Sequence, residues 1–246
     1  MIKRVVPQGR GIFRVREGTR FREPCGFTSS PVNIVSADTT GLPRVIDDLE
    51  PEERILWATV RQATEKGFES VRVFDVIERA EVSRAAFYEL FDSRDECLFA
   101  AYERVLDVLF SYVERAYEAD ERWPVKIKHA LGACLEACSA EPEVTRMATV
   151  EVPATRPEAQ RRYGDTLRRF VPLLTEGRRY REPGGDLPSD LELMAVGGAE
   201  AIIHEEVVAD RTEDLPAKLP DVLFTVLAPY LGPEAAAEEA HRAERN

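Results

Sequence analysis

Histidine is scarce in this chain. Three occur among 246 residues, at positions 129, 204 and 241, which leaves little material for a metal centre. His204-Glu205-Glu206-Val207-Val208 lacks the second histidine that a helical zinc-protease motif requires. Gly-x-Ser-x-Gly, Walker and Cys-x-x-Cys motifs are missing as well. These absences assign no catalytic residue, no metal and no cofactor. Cysteine is also sparse, with four at 25, 97, 134 and 138, so a disulfide framework is not expected in a chain large enough to build a core. Cys134 and Cys138 are four apart, on one face of an expected helix. Two small buried hydrophobes are the favoured reading, and a redox or soft-metal pair the other.

No apolar run approaches the ~18–20 residues needed to span a bilayer, so no membrane association is expected. The start, Met-Ile-Lys-Arg-Val-Val-Pro, is basic but has no apolar region behind it. A secretory signal is therefore not expected, and the cytoplasm is the expected location. No alternating apolar–polar run demands a strand. The expected fold class is all-α, with helices throughout the chain after residue 46.

The net charge of −12 argues against indiscriminate binding to nucleic acid, but the charge is unevenly spread. Residues 1–44 hold eight Lys/Arg and three acids, a net of +5, which leaves −17 on the rest. Residues 1–46 lack periodicity and are interrupted by Gly, Pro, Ser and Thr, and read as a basic, partly ordered arm. Gly11–Arg16 could form a short strand given a partner. Gly9 and Gly11 lack the third glycine of a dinucleotide fingerprint.

The punctuation sharpens after the arm. Pro51, followed by Glu52 and Glu53, suits the first turn of a helix, and Gly67 suits its end. Val73, Val76, Ile77 and Ala80 form the inner face of a second helix. Ser83 caps a third, with Ala86, Phe87, Leu90 and Phe91 behind it. Ser93 caps a long fourth, whose Leu98, Ala101, Val105, Leu109, Val113 and Ala116 recur with helical period. Two short helices joined by a tight turn and flanked by longer ones form the layout of a helix-turn-helix, which lays one helix in the DNA major groove.

Further helical stretches are expected near 124–140, 142–151, 157–180, 189–210 and 215–231, separated by Pro- and Gly-containing breaks. Residues 191–203 are nearly apolar all round and rich in small residues, which suits burial on several sides. Residues 215–231 carry a wide apolar stripe. Helix pairs of this kind dock on a copy of themselves as a four-helix bundle, so a homodimer through about 189–210 and 215–231 is expected. The tail 233–246 reads as a short exposed helix.

Residues 52–102 resemble the DNA-binding domain of the tetracycline-repressor (TetR) family. The matching pattern is Arg54-Ile55-Leu56, Gly67-Phe68, Asp75-Val76, Val82-Ser83-Arg84, Phe87-Tyr88 and Phe91-Asp92-Ser93-Arg94-Asp95-Glu96-Cys97. Val196-Gly197-Gly198 and Leu227-Ala228-Pro229-Tyr230-Leu231-Gly232 extend a looser likeness to residue 232. The resemblance implies a homodimeric transcriptional regulator, usually a repressor, that leaves a palindromic operator on double-stranded DNA when a small-molecule effector enters its helical body. It divides the chain into an arm (1–46), a DNA-binding domain (47–97), an effector and dimerisation domain (98–232) and a tail (233–246).

Carried onto this sequence, the resemblance puts Ser83, Arg84, Ala85 and Ala86 toward the groove and Tyr88 and Arg94 on phosphates. Arg72, standing where a capping residue is usual, could reach a phosphate, leaving Ser70 to cap the second helix. Arg84 can give guanine two hydrogen bonds, for ~1–3 kcal/mol of discrimination. An effector pocket would draw on apolar and aromatic residues, with Phe110, Trp123, His129, Met147, Tyr163, Phe170, Met194 and His204 as candidates. Departures from the family pattern are Glu81 where a turn glycine is usual, Phe74 at an often polar position and Glu89 at an often basic one. Residues 50–96 carry seven Lys/Arg and twelve acids. This net of −5 opens a second reading, a helical small-molecule- or partner-binding protein with weakened DNA binding.

Overall fold

A computed structural model describes residues 49–120, 122–181 and 187–244. The expected basic arm, 1–46, lies outside the described residues. Within them every regular element is helical, as the missing alternation implies.

The first helix, α1 (Pro51–Lys66), has its proline in the opening turn and stops at Gly67, whose φ of +85° suits a residue without Cβ. A 3-10 turn, Phe68–Ser70, leads to α2 (Val73–Arg79). Ser70 does not cap α2. The N-cap is Arg72, in an extended conformation and with no side-chain cap bond. Then come α3 (Arg84–Leu90) and α4 (Arg94–Tyr117), capped as expected by serine hydroxyls. Ser83 Oγ accepts from the Ala86 N–H at 3.0 Å, and Ser93 Oγ from the Glu96 N–H at 3.1 Å. One apolar core joins these four helices through Ile55, Val60, Phe68, Val76, Phe87 and Leu98, among others.

The body comprises α5 (Trp123–Ala140), α6 (Pro142–Arg146), α7 (Val152–Thr155), α8 (Pro157–Thr175), α9 (Leu191–Val208), α10 (Leu219–Leu231) and α11 (Pro233–Glu244). Helix α4 packs on α5 and α8, α9 lies against α8 and α10, and α10 also meets α5. The expected helical stretch at 142–151 is present and runs on to Thr155. A π turn, Met147–Glu151, separates α6 from α7. Pro153 has no N–H to continue the regular ladder, and Thr149 Oγ1 donates back to the Thr145 carbonyl at 2.9 Å, a contact that bends helices.

The expected helix at 157–180 ends at Thr175 and tightens into a 3-10 turn, Glu176–Tyr180, where Gly177 lies against the Trp123 ring. The stripe starting at Leu215 begins in a 3-10 turn, Thr212–Lys218, because Pro216 and Pro220 postpone the α-helix to Leu219.

One expectation about the late helices is corrected. Helix α11 is docked rather than exposed, burying Ala236 and Ala240 as it packs on α10. Within a single chain helix α9 buries Ala195, Ala199 and Val207, while Met194 (67% exposed), Ala201 and Val208 lie bare.

Candidate functional site

The α2–α3 unit is built around a turn that folds at a cost. Val82 N–H donates to the Ile77 carbonyl at 3.1 Å, and Glu81 takes a φ of +52°. A non-glycine residue in that region is strained by roughly 1–2 kcal/mol. The turn lets Val76, Ala80 and Phe87 enter the core while the outer surface stays open. Exposed there are Arg72, Phe74, Ser83, Arg84, Ala85 and Tyr88. Ala86 is half-buried. Phe74, 68% exposed, is the barest large apolar side chain described.

The Arg84 guanidinium lies 5.5 Å over the Tyr88 ring, which in turn meets Phe87 edge-on at 5.2 Å. Arg72 and Arg84 have no ion pair among the described residues. Ser83 spends its hydroxyl as the helix cap.

Arg94 is placed otherwise than expected. Its Nε donates to the Val71 carbonyl at 2.6 Å, Nη2 to the Glu69 carbonyl and Nη1 to Asp95 Oδ1 at 2.9 Å. These bonds fasten the turn after α1 to the start of α4. Three of its N–H donors are thus engaged within the protein, a role that the sequence did not suggest.

Part of the acid is paired away from this surface. Lys66 pairs with Asp75, Arg79 with Glu65, and Arg104 of α4 with Glu53. Arg156, just before α8, pairs with Glu69 at 2.6 Å and with Asp95 at 2.9 Å. The Arg156 hydrogen bond holds the Asp95 carboxyl below its ordinary pKa, against the opposing effect of burial. Two cations from outside residues 50–96 thus cover three of the twelve acids. Glu78, Glu81 and Glu89 remain near Arg72 and Arg84 without an ion pair among the described residues.

The body holds a partly open cavity of about 170 Å³ between α4, α5, α6, α8 and α9. Its wall is overwhelmingly apolar, with Val105, Leu109, Leu131, Leu167 and Phe170 prominent. Its polar groups include Thr145, Thr149, Thr166, Cys134, Cys138 and a hydrogen-bonded pair, Tyr163 Oη to Glu200 Oε1 at 2.9 Å. Burial and the adjacent Glu200 carboxyl raise the Tyr163 phenol, so it stays a donor.

Of the eight expected pocket residues the cavity brings together two, Tyr163 and Phe170. Phe110 stands behind Phe170, edge-on at 5.2 Å, under the Arg169 guanidinium. Trp123 is wholly buried in a separate core with Tyr230, its indole N–H donating to the Leu173 carbonyl at 3.0 Å. Met147 fills the core shared with α1–α4. His129 is half-buried, while His204 and Met194 are exposed and do not line the cavity. The threonines and cysteines that do line it were missed, since short polar residues on a helix carry no periodic signal.

Residues 55–101 match the model of a family described as bacterial regulatory proteins, tetR family. Nothing matches among curated proteins. Among solved structures, the fatty acid degradation regulator FadR from Bacillus halodurans is similar at 17% identity, with a TM-score of 0.63 over 73% of this chain and 95% of that one. FadR from Bacillus subtilis, solved in complex with stearoyl-CoA, has 17% identity and a TM-score of 0.61 over 73% and 97%. A transcriptional regulator from Aquifex aeolicus has 24% identity and a TM-score of 0.51 over 69% and 95%. At these identities the likeness shows a shared fold.

Proposed function

We propose that this chain, whose DNA-binding domain belongs to the TetR family, is a dimeric repressor released from a palindromic operator by a largely apolar small molecule. The observation that carries the reading is the open α2–α3 surface, where Arg84 and Tyr88 project from a helix whose other side is locked into the core. The stacking of Arg84 on Tyr88 contributes ~0.5–1 kcal/mol at an exposed site. Two hydrogen bonds to a guanine contribute ~1–3 kcal/mol, so Arg84 can leave the ring for a base edge. Tyr88 and Arg72 supply phosphate donors, and Arg94 positions the unit from within. The net charge of +5 on residues 1–44 favours attraction to phosphates.

Dimerisation uses the bare face of α9. Met194, Gly197, Ala201 and Val208 recur at helical spacing, and a Cβ at Gly197 would meet open space. Phe224 on α10 is exposed too, beside the point where Gly198 faces Thr225. Two copies joined there form a four-helix bundle, which sets the two recognition helices for half-sites ~34–36 Å apart.

The ligand is matched to the cavity. A void of ~150 Å³ lined by aliphatic groups holds a benzene-sized molecule, so about 170 Å³ admits a ring or a short chain as it stands. A longer chain, such as the acyl group in the stearoyl-CoA complex of the similar B. subtilis FadR, requires the walls to part. Glu200 inside the wall disfavours a buried carboxylate head, which leaves neutral groups to meet Tyr163.

The test is selection of bound sequences from random DNA, followed by titration of the enriched site. Expected are a palindrome, a steep salt dependence and a ~10-fold or greater loss for Arg84→Ala, a factor that equals about 1.4 kcal/mol. Absence of any enriched site at low salt would refute the reading and favour a ligand-binding protein with vestigial DNA contacts.

A further inference from the structure

Cys134 and Cys138 stand one turn apart on α5, and both line the cavity. Cys138 is buried and Cys134 half-buried. The neighbouring Cys134 holds the Cys138 thiol below its usual pKa in spite of burial, and Cys134 is pushed up by Cys138 and by burial. Cys97 stands apart from the cavity. It lies in the core beneath the DNA-binding unit, contacts Thr59 Oγ1 at 3.3 Å, and is pushed up to about 11 by burial.

Geometry decides what the pair can do. Positions four apart on an intact helix hold their Cβ atoms ~5–6 Å apart. A disulfide needs them ~3.5–4.5 Å apart, so direct oxidation would have to unwind α5. An atom bonded to both sulfurs bridges the longer span without that distortion. It must be soft, to prefer thiolates, and it must accept two sulfur ligands without further protein donors. No group of three or more metal-ligating side chains stands among the described residues. It must also carry an apolar substituent, because everything around the thiols except a few hydroxyls and two carboxylates is hydrocarbon.

We propose that Cys134 and Cys138 capture a trivalent organoarsenical, R–As=O, as a cyclic dithioarsinite whose apolar R group fills the cavity. Two As–S bonds form and the As=O bond breaks. The two thiol protons leave with that oxygen as one water, and arsenic stays trivalent, so no oxidant or reductant is needed. The site rests on the cavity being a ligand site, as under the proposed function, but not on DNA binding.

The experiment uses the full, reduced chain and phenylarsine oxide, read by intact mass under non-denaturing conditions and by thiol titration. One adduct per chain is expected, heavier by the reagent less one water, with two thiols lost. Cys134→Ala and Cys138→Ala should each weaken capture by about 100-fold or more, the loss that follows when a two-point attachment becomes one-point. The double variant Cys25→Ala/Cys97→Ala keeps only the pocket pair and should capture as the parent does, which controls for folding. Capture that survives removal of both Cys134 and Cys138, or fails in Cys25→Ala/Cys97→Ala, overturns the site. Release of operator DNA on capture is scored separately. Capture without release supports the dithiol site and counts against effector coupling.

Discussion

Arg156→Ala tests how the body holds the DNA-binding unit. The Arg156 guanidinium makes two contacts to Glu69 Oε1, from Nη2 at 2.6 Å and Nε at 3.2 Å, and one to Asp95 Oδ2 at 2.9 Å. It also lies 5.3 Å over the Phe99 ring. Both carboxylates are about half exposed, which keeps each pair near the surface value of ~0.2–1 kcal/mol. The ring contact adds ~0.5–1 kcal/mol. The three together suggest ~1–2 kcal/mol, screened in part by salt.

The assay is a double-mutant cycle by urea denaturation, pairing Arg156→Ala with Glu69→Gln and with Asp95→Asn, at low and at high salt. A coupling of ~0.5–1 kcal/mol per pair that shrinks in high salt is expected. Operator affinity of the same variants reports function. Glu69 and Asp95 flank the points where Arg94 grips the turn, so loss of Arg156 should change DNA affinity several-fold while secondary structure stays intact. Additive cycles, or a variant indistinguishable from the parent in both stability and DNA binding, would refute the reasoning.

Three further outcomes follow from local geometry. Glu81→Gly should stabilise by up to ~1 kcal/mol, since relief of roughly 1–2 kcal/mol of strain outweighs ~0.5–1 kcal/mol of added chain entropy, whereas Glu81→Val should destabilise; equal midpoints for both in urea would contradict the positive φ. Gly177→Ala should cost ~1–3 kcal/mol, because its new methyl would overlap the Trp123 ring, which is fully buried and held by its indole hydrogen bond; an unchanged melting curve would show that Trp123 moves freely. Glu206, held by Arg211 and then Lys218, has its pKa lowered from 4.5 to about 2, so its contribution is present above pH 4.5 and is lost as pH falls through about 2. The parent should lose stability faster than Glu206→Gln across that window, and parallel curves would count against it.

Features governed by neighbours in sequence were legible in advance. Pro51, Gly67, Ser83 and Ser93 act through bonds to residues within four positions, and each marks the helix end expected of it. Glu81 was legible too, as a residue in a turn that wants glycine. What escaped depends on partners far along the chain. Arg156 meets Glu69 across 87 residues, and Arg94 turns inward to carbonyls more than twenty positions back. The pocket was misjudged for a related reason. Periodicity says that Trp123 and Met147 face inward, but not which of two packed cores receives them or that the space between is lined by threonine, cysteine and small aliphatics. Ala236 and Ala240, four apart, were a readable sign that α11 docks, outweighed by the glutamates around them.

The size of the cavity bears on how a ligand could be felt at the DNA surface. Any occupant larger than a ring must part its walls, and the walls are not equally held. Helix α5 begins at Trp123, clamped between Tyr180 and Tyr230, and α9 is tied by Glu192 to Arg178 and by Glu206 to Arg211 and Lys218. The opposite wall is formed by Val105, Leu106 and Leu109 of α4 and by Thr145, Ala148 and Thr149, which run into the π turn. Tyr102 binds these two parts together, its hydroxyl donating to the Ala148 carbonyl at 3.0 Å. A π turn interrupts the regular helical ladder of this wall. One of its ends is Asp95, at the start of α4, and the other is Arg156, just past α7. These two residues form an ion pair. Under the proposed function, a ligand that preferred a widened cavity would shift the population toward a displaced recognition helix, by no more than its differential affinity for the two states.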